Sequence, residues 1–168
     1  LFDIALRVNP DILVVGEMIG AEANAAQEAA RTGVAVVTTI HSNSCEATYR
    51  RMVSLCKRAV DMSDETLMGY VTEAYPIIVF CKQLENRQRV IMEIMECEIK
   101  PDGTRRYRPL YQYEIMENQL EGDYFVINGK HRVMNSISDG LYKRLLENGM
   151  PMETLNRFHS KGEGGEKS

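Results

Sequence analysis

Apolar residues in the first 40 positions fall into two short runs. One spans residues 12–15 and the other, mostly β-branched, spans residues 34–40. Continuous runs of this kind predict strands that are buried on both faces of a sheet. Between them lies an alanine-rich stretch, residues 21–32, with high helix propensity, and Gly33 then supplies a helix stop. This order predicts a βαβ unit, in which the two strands are parallel.

The next segments predict two helices and a third strand. Apolar residues at helical spacing over residues 49–60 follow Asn43 and Glu46, which resemble a helix-capping pair. Ser63 can cap the second helix, which ends before Pro76. Residues 77–81 are apolar throughout, so we expect another buried strand there.

The second half of the chain has a different pattern. Three segments look like antiparallel strands: residues 87–99, 106–115 and 123–127. Turn residues mark their ends: Asn86, Pro101-Asp102-Gly103, Glu121-Gly122 and Gly129-Lys130. We expect a helix from Ser138 or Asp139, a last short helix near Pro151, and disorder in the Gly- and Lys-rich residues 161–168.

Composition and charge exclude several classes of protein. The 168 residues are 44% hydrophobic and 26% charged, which is ordinary for a globular protein and excludes a disordered or collagen-like chain. The net charge of -4 disfavours a broad nucleic-acid-binding surface. The four cysteines include no Cys-x-x-Cys pair, so a structural zinc site is disfavoured. Cys56 and Cys81 lie in apolar patterns and are expected to be reduced core residues.

Candidate chemistry follows the two predicted parallel strands. Glu17 comes after the first strand, and His41-Ser42-Asn43-Ser44 come after the second. Open α/β sheets bind ligands beyond the carboxyl ends of their strands, so both groups should face one crevice. A carboxylate there can orient water or hold Mg²⁺ through water, and a histidine can contact a phosphate. The simpler alternatives are that Glu17 begins a helix and that His41 is an ordinary turn residue.

Two segments resemble the type II/IV secretion ATPases. Residues 6–17, LRVNPDILVVGE, resemble that family's LR-x-x-PD…VVGE segment. Residues 32–34 and 38–44, TGV and TTIHSNS, resemble its TG…TxHANS histidine box. The resemblance is strong over residues 3–82, extends to about residue 128, and is closest to the CpaF-type ATPases of tight-adherence (Flp) pili and conjugative secretion.

The resemblance implies a fold and a set of site residues. The fold would be α/β, a RecA-like P-loop NTPase core fragment with an antiparallel β extension and C-terminal helices. Glu17 would be the Walker B glutamate, catalytic and holding Mg²⁺ through water, and His41 a second catalytic residue near the terminal phosphate of ATP. Gly16, Arg7 and Arg50 are the candidate cofactor-binding residues for ATP, although most arginines are simply solvated.

Four parts of the chain are expected on this basis. Residues 1–84 would be the ATPase core segment with the Walker B and histidine box, and residues 85–135 the antiparallel β extension. Residues 136–160 would be C-terminal helices and residues 161–168 a disordered tail.

The sequence also departs from the family pattern. The arginine of the family's GE-x-RG is Ile19 here, and the histidine of its NTGH is Val34. The 168 residues contain no G-x-x-x-x-G-K-[ST] phosphate loop, which in this family lies upstream. We therefore expect the chain to be the later part of a longer protein and to be inactive alone.

The implied parent protein is a secretion or pilus-assembly motor. It would form a homo-oligomer, a hexameric ring, on the cytoplasmic face of the inner membrane, where it would meet platform proteins of a pilus or secretion machine. The alternative is a non-catalytic, ring-forming interaction protein of the same family, favoured slightly by Ile19 and Val34. No direct contact with nucleic acid is expected, since the charge balance is acidic.

Overall fold

The computed structural model describes residue 4 and residues 7–159. The chain divides into two units, Leu1–Pro76 and Ile77–Ser168. Each unit contains one β-sheet and its own helices. The predicted disordered tail, residues 161–168, lies outside the described residues. No helix in the described part of the chain is long and apolar enough to span a bilayer.

The first unit contains the βαβ unit that the sequence predicted. Its elements are β1 (Ile12–Val15), α1 (Glu22–Arg31), β2 (Ala35–Thr38), α2 (Cys45–Cys56) and α3 (Asp64–Ala74). The strands β1 and β2 pair in parallel, with Ile12 opposite Ala35 and Val15 opposite Thr38. The two strands therefore end side by side, and the loops that follow them leave the sheet at the same edge.

In the described part of the first unit, the core lies between α1, α2 and α3. Helix α1 contributes three fully buried alanines, whose small side chains let α2 and α3 pack close to it: Ala23, Ala26 and Ala29. Tyr49 of α2 is also fully buried, and its hydroxyl donates a hydrogen bond to the carbonyl of Tyr75 at 2.7 Å. This bond satisfies the one polar atom of an otherwise apolar side chain and links α2 to the end of α3.

The prediction that β1 and β2 are buried on both faces was wrong. Alternate side chains of both strands are exposed, with Ile12 at 60%, Val14 at 71% and Val37 at 58%. Helix α1 packs against β2, and among the described residues each of these two strands pairs only with the other. Side chains alternate between the faces of a strand, so the residues on the other face stay accessible although they are apolar.

The second unit is a four-stranded antiparallel sheet followed by two helices. Its elements are β3 (Ile77–Gln83), β4 (Arg89–Ile99), β5 (Arg105–Glu121), β6 (Tyr124–Val133), α4 (Asp139–Glu147) and α5 (Met152–His159). The strands pair in chain order, as a meander. The antiparallel extension and C-terminal helices of the predicted fold class are therefore confirmed.

The apolar run over residues 77–81 was predicted as a buried strand, but it forms a half-exposed strand. As β3 it pairs with β4, and its side chains alternate between exposed and half-buried. Cys81 is consequently exposed, which contradicts its prediction as a core residue, whereas Cys56 is buried as predicted. Burial raises the pKa of the Cys56 thiol to about 11, so this thiol stays protonated and unreactive at neutral pH.

The predicted turns are correct at Gly103 and Gly122 and wrong at Gly129. Gly103 and Gly122 have φ angles of 81° and 62°, which an L side chain rarely adopts. Gly129 instead lies inside β6, opposite Ile115. A Cβ atom at Gly129 would lie 2.5 Å from the ring of Tyr113 and 2.6 Å from the carbonyl oxygen of Glu114. The glycine therefore serves close packing between β5 and β6 rather than a turn.

A buried carboxylate joins β4 to the start of α4. Glu96 is 1% exposed and accepts hydrogen bonds from the amide of Ser138, at 2.8 Å, and from its hydroxyl. The same hydroxyl accepts from the amide of Leu141 at 3.1 Å and so caps α4. Leu141 packs with Leu110, Ile137 and Leu155 in a small apolar core. The cap and the buried carboxylate thus hold the helix over this core.

Substituting Ser138→Ala should destabilise the protein more than an ordinary cap deletion does. Ser63 caps α3 in the same way, accepting from the amide of Thr66 at 3.1 Å, but its bonds are exposed. We expect a loss of about 3 kcal/mol for Ser138→Ala, because the buried carboxylate also loses a donor. Ser63→Ala should cost about 1 kcal/mol. Urea denaturation followed by circular dichroism measures both, and equal losses would contradict the proposed link.

Candidate functional site

The structure brings together the two residues that the sequence predicted as catalytic. Glu17 follows β1 and His41 follows β2, and Nε2 of His41 lies 3.0 Å from Oε1 of Glu17. The side chain of Glu17 is 45% exposed and that of His41 is 94% exposed, so both are open to a ligand. Their proximity follows from the parallel pairing, since both loops leave the same edge of the sheet.

Hydrogen bonds continue the pairing beyond the ends of the strands and hold this pair of loops together. The amide of Met18 donates to the carbonyl of Thr39 at 2.9 Å, and the hydroxyl of Thr39 donates to the carbonyl of Gly16 at 2.5 Å. Met18 is also buried, with 1% of its surface exposed. Glu17 is therefore flanked by two residues whose backbone is tied to the strand that carries His41. Gly16 contributes its backbone carbonyl to these hydrogen bonds, and the space that a side chain at this position would occupy is open.

Glu22 and Arg58 hold the other side of the Glu17 loop. Oε1 of Glu22 accepts hydrogen bonds from the amides of Ile19 and Gly20, both at 2.7 Å. The bond from Ile19 is the main cause that lowers the pKa of the Glu22 carboxyl, and the charge of Arg58 acts in the same direction. Arg58 also donates to the carbonyl of Ile19 at 2.9 Å. Sequence reasoning missed both residues, although an acidic residue just before a helical run is a known signal of backbone capping.

A cleft of about 410 Å³ opens beside His41. Its lining comes from the loop after β2 and from the first turns of α2: His41, Ser42, Asn43, Ala47 and Arg51. The helix cap is Ser44 and not Asn43, which corrects the predicted Asn43–Glu46 pair: the Ser44 hydroxyl accepts from the amide of Ala47 at 3.1 Å. Asn43 is exposed and contributes its amide side chain to the cleft instead.

The arginines proposed from sequence lie elsewhere. Arg50 is exposed and pairs with Glu46, one helical turn earlier, at 2.8 Å. Arg50 is not among the residues that line the cleft, whereas its neighbour Arg51 is. Arg7 is exposed and precedes the start of β1, while Glu17 follows the end of that strand. Neither arginine lines the cleft within the described part of the chain, and their assignment as ATP-binding residues stays a prediction.

Arg31, which replaces the asparagine of the family's NTGH, has a structural contact. Its Nε donates to Glu73 at 2.9 Å, and its guanidinium lies 3.7 Å from the ring centroid of Tyr70. Both partners belong to α3, so Arg31 ties the end of α1 to that helix. The contacts account for an arginine at this position without any role in binding a ligand.

The donor set at the site suits a magnesium ion held mainly by water. Within the described part of the chain, no cluster of three or more His, Cys, Asp or Glu side chains could cage a metal. Mg²⁺ rarely needs such a cage, because it keeps several waters and uses one or two carboxylates together with substrate phosphates. Glu17, which is half-exposed beside a cleft lined with polar side chains, fits that arrangement.

Comparisons with known proteins identify relatives of the chain. A family model described as type II/IV secretion system protein matches residues 2–156. An uncharacterized protein of Methanocaldococcus jannaschii is 27% identical over 165 residues, which are 97% of this chain and 55% of the relative. The chain thus spans about half the length of this curated relative.

Solved structures add information on the fold. The crystal structure of the VirB11 ATPase from the Brucella suis type IV secretion system, in complex with sulphate, matches with a TM-score of 0.53 and 20% identity. The match covers 56% of this chain and 30% of that one, and it shows a shared fold. The ATPase DotB of Legionella pneumophila matches 92% of this chain and 31% of that chain at 21% identity, with a TM-score of 0.43, which is too low to support a further conclusion.

Substituting Glu22→Gln should loosen the loop that carries Glu17. The uncharged amide accepts weaker hydrogen bonds, so the amides of Ile19 and Gly20 should exchange with deuterium several-fold faster. Glu28→Gln is the matched control, because Glu28 lies on the same helix and accepts only from the Asn24 side chain. Amide exchange followed by nuclear magnetic resonance measures both variants. Equal rates in the two would show that Glu22 does not hold the loop that carries Glu17.

The hydrogen bonds that Glu22 accepts from the amides of Ile19 and Gly20 also predict that protection of these amides depends on pH. Because the pKa of Glu22 is lowered in the folded chain, its stabilising contribution is complete above the ordinary glutamate pKa. The contribution is lost as the pH falls through the lowered value. Protection of the Ile19 and Gly20 amides in the wild type should therefore decline at acid pH, and the Glu22→Gln variant should lack this decline.

Proposed function

Because the chain belongs to the type II/IV secretion system protein family, we propose that it forms part of a motor that hydrolyses ATP to power pilus assembly or export of a substrate. The observation that carries this proposal is the 3.0 Å contact between Glu17 and His41 at the edge where two parallel strands end. A carboxylate at this edge, beside a polar cleft, can orient an attacking water, and an imidazole there can contact the transferred phosphate.

We assign distinct roles to the two residues. The carboxylate of Glu17 orients the attacking water and accepts its proton, and it would hold Mg²⁺ through water. The ion would neutralise charge on the phosphates. His41 faces the terminal phosphate, where its ring can donate a hydrogen bond. The hydrogen bonds from Met18 and Thr39 fix the spacing of the two loops, so the groups are held in place before the substrate arrives.

The proposal concerns a protein longer than these 168 residues. The chain corresponds to about half of its archaeal relative and contains no phosphate loop in its sequence. A phosphate loop supplies backbone amides and a lysine that cradle the β- and γ-phosphates. We propose that another part of the longer chain contributes this loop, with Gly16 close to the nucleotide and Arg7 near it or at a subunit boundary. The 168 residues alone should then be inactive.

The finer assignment is to the CpaF-type branch. We propose a hexameric ring that works with platform proteins of a tight-adherence pilus or a conjugative machine at the inner face of the cytoplasmic membrane. The support is the resemblance of residues 6–17 and 38–44 to the two sequence motifs of that branch. Direct contact with nucleic acid is not proposed, because the net charge is -4.

A second candidate is a ring subunit that does not turn over ATP. Ile19 and Val34 favour it, because the family commonly has an arginine and a histidine there. The guanidinium of Arg58, bonded to the Ile19 carbonyl, still places a positive charge on this loop. The contact between Glu17 and His41 favours the active motor, since a subunit without turnover has no need of the pair.

In the longer protein, Glu17→Gln should spare nucleotide binding and lower kcat about 100-fold. The amide keeps the size of the carboxylate but cannot accept a proton from water. A fluorescent ATP analogue measures binding, and phosphate release measures turnover. Glu28→Gln is a control, since Glu28 is an exposed carboxylate on α1. The 168-residue chain alone should show no turnover.

Two results would contradict this assignment. Wild-type turnover in Glu17→Gln would show that Glu17 has no catalytic role. A wild-type longer protein that binds ATP without hydrolysing it would support the second candidate.

The longer protein should assemble into a ring when nucleotide is present, and Arg7→Ala should lower turnover more than nucleotide affinity. In ring motors an arginine supplied across a boundary stabilises charge that develops during transfer. Arg7 is exposed, so it is open to a neighbouring subunit. Sedimentation with and without a slowly hydrolysed ATP analogue measures assembly. A strict monomer with full ATPase activity at every concentration would exclude this arrangement.

A further inference from the structure

We infer that Arg51, and not Arg50, binds a phosphate group in the cleft beside His41. The inference rests on the proposed function, because it names the group that accompanies His41 at the same site. Arg50 was the candidate from sequence, and the two residues are adjacent in the chain. Their side chains nevertheless meet different surroundings, because successive residues on a helix point about 100° apart.

The ion pairs separate the two arginines. Arg50 is bonded to Glu46 at 2.8 Å on the outer surface of α2, so its charge is already partnered. Among the described residues, Arg51 forms no ion pair with a carboxylate, and its side chain lines the cleft together with His41. A guanidinium that borders a cleft without an acidic partner is available to an anion.

The other residues that line the cleft also favour an anion. Ser42 and Asn43 bring a hydroxyl and an amide, which can donate hydrogen bonds, and Ala47 brings only a methyl group. No aspartate or glutamate is among the lining residues of the described chain. The carboxylate of Glu17 contacts Nε2 of His41 and is not itself among the lining residues. The lining is therefore positive through Arg51 at any physiological pH.

The chemistry of the guanidinium selects the class of ligand. Its planar fork matches two oxygens of one phosphate, and this bidentate contact is stronger than a neutral hydrogen bond. The cleft, at about 410 Å³, is within the range of small-molecule sites and larger than a single phosphate requires. We assign its ligand as the terminal phosphate of a nucleotide, with room for the groups next to it.

A titration with inorganic phosphate tests the site directly on the 168-residue chain. The imidazole signals of His41, assigned by comparison with His41→Gln, should shift in a saturable manner. Arg51→Gln should raise the dissociation constant for phosphate about tenfold, which is the usual effect of losing a hydrogen bond to a charged group. Arg50→Gln should leave it within about twofold, since that variant removes only an exposed ion pair. Circular dichroism verifies that both variants fold, as expected for exposed positions on α2.

The outcomes decide the inference in each direction. Equal weakening by the two variants, or an absence of saturable shifts in the wild type, would overturn it. In the longer protein, Arg51→Gln should lower the affinity for ATP and leave that for ADP unchanged. Equal losses for both nucleotides, or no loss for either, would overturn the assignment to the terminal phosphate.

Failure of the proposed function is distinguishable from failure of this inference. The phosphate titration needs no turnover, so it stands even where the longer protein proves to be inactive. Conversely, if Glu17→Gln abolishes turnover while Arg51→Gln changes neither phosphate binding nor ATP affinity, the motor proposal stands and the role of Arg51 is excluded.

Discussion

The site depends on the parallel pairing of β1 and β2. With Val15 opposite Thr38, the two strands end at the same level, and the residues that follow are brought together without any further folding of the loops. A one-residue slip would put each side chain on the opposite face of its strand. The bonds from Met18 to Thr39 and from Thr39 to Gly16 extend the pairing beyond the strands. Glu17 and His41 therefore meet through backbone geometry rather than through burial, which explains how two exposed side chains can share a defined position.

Around this pair, the helices provide both the support and the charges. The buried alanine face of α1 holds the crossover helix close to α2 and α3, and the first turn of α1 supplies Glu22 to the Glu17 loop. Helix α2 supplies Arg51 on the side of the cleft and Arg50 on the solvent side. Helices α1 and α2 thus pack through buried faces, while Glu22 and Arg51 lie next to the loops that carry Glu17 and His41. The second unit is organised separately, around the buried bond between Glu96 and Ser138.

Sequence patterns predicted the features that depend on local order and missed those that depend on neighbours. The βαβ unit, the cap at Ser63 and the turns at Gly103 and Gly122 follow from residue type and spacing, and the structure has all of them. The sequence left the start of α4 open between Ser138 and Asp139, and the structure has Ser138 as the cap. The proximity of Glu17 and His41 followed from the predicted parallel pairing.

The wrong predictions share a physical cause. Apolar runs do not say how many faces of a strand are covered, so Val14 and Cys81 were expected to be buried but are exposed. Arg50 and Arg51 are adjacent and of the same type, so the sequence did not distinguish them. They differ because α2 directs their side chains differently, Arg51 to the cleft and Arg50 to an ion pair on the same helix. Gly129 resembles a turn residue until the ring of Tyr113 is placed against it.

The most direct test of a shared site is a double-mutant cycle on ATP turnover in the longer protein, with Glu17→Gln, His41→Gln and both together. Two residues that act on one reacting phosphate form a unit, and removal of the second group then costs little once the first is lost. We expect the double variant to be no slower than about the slower single variant. A double variant whose loss equals the product of the two single losses would show that Glu17 and His41 act independently, which would contradict a common site.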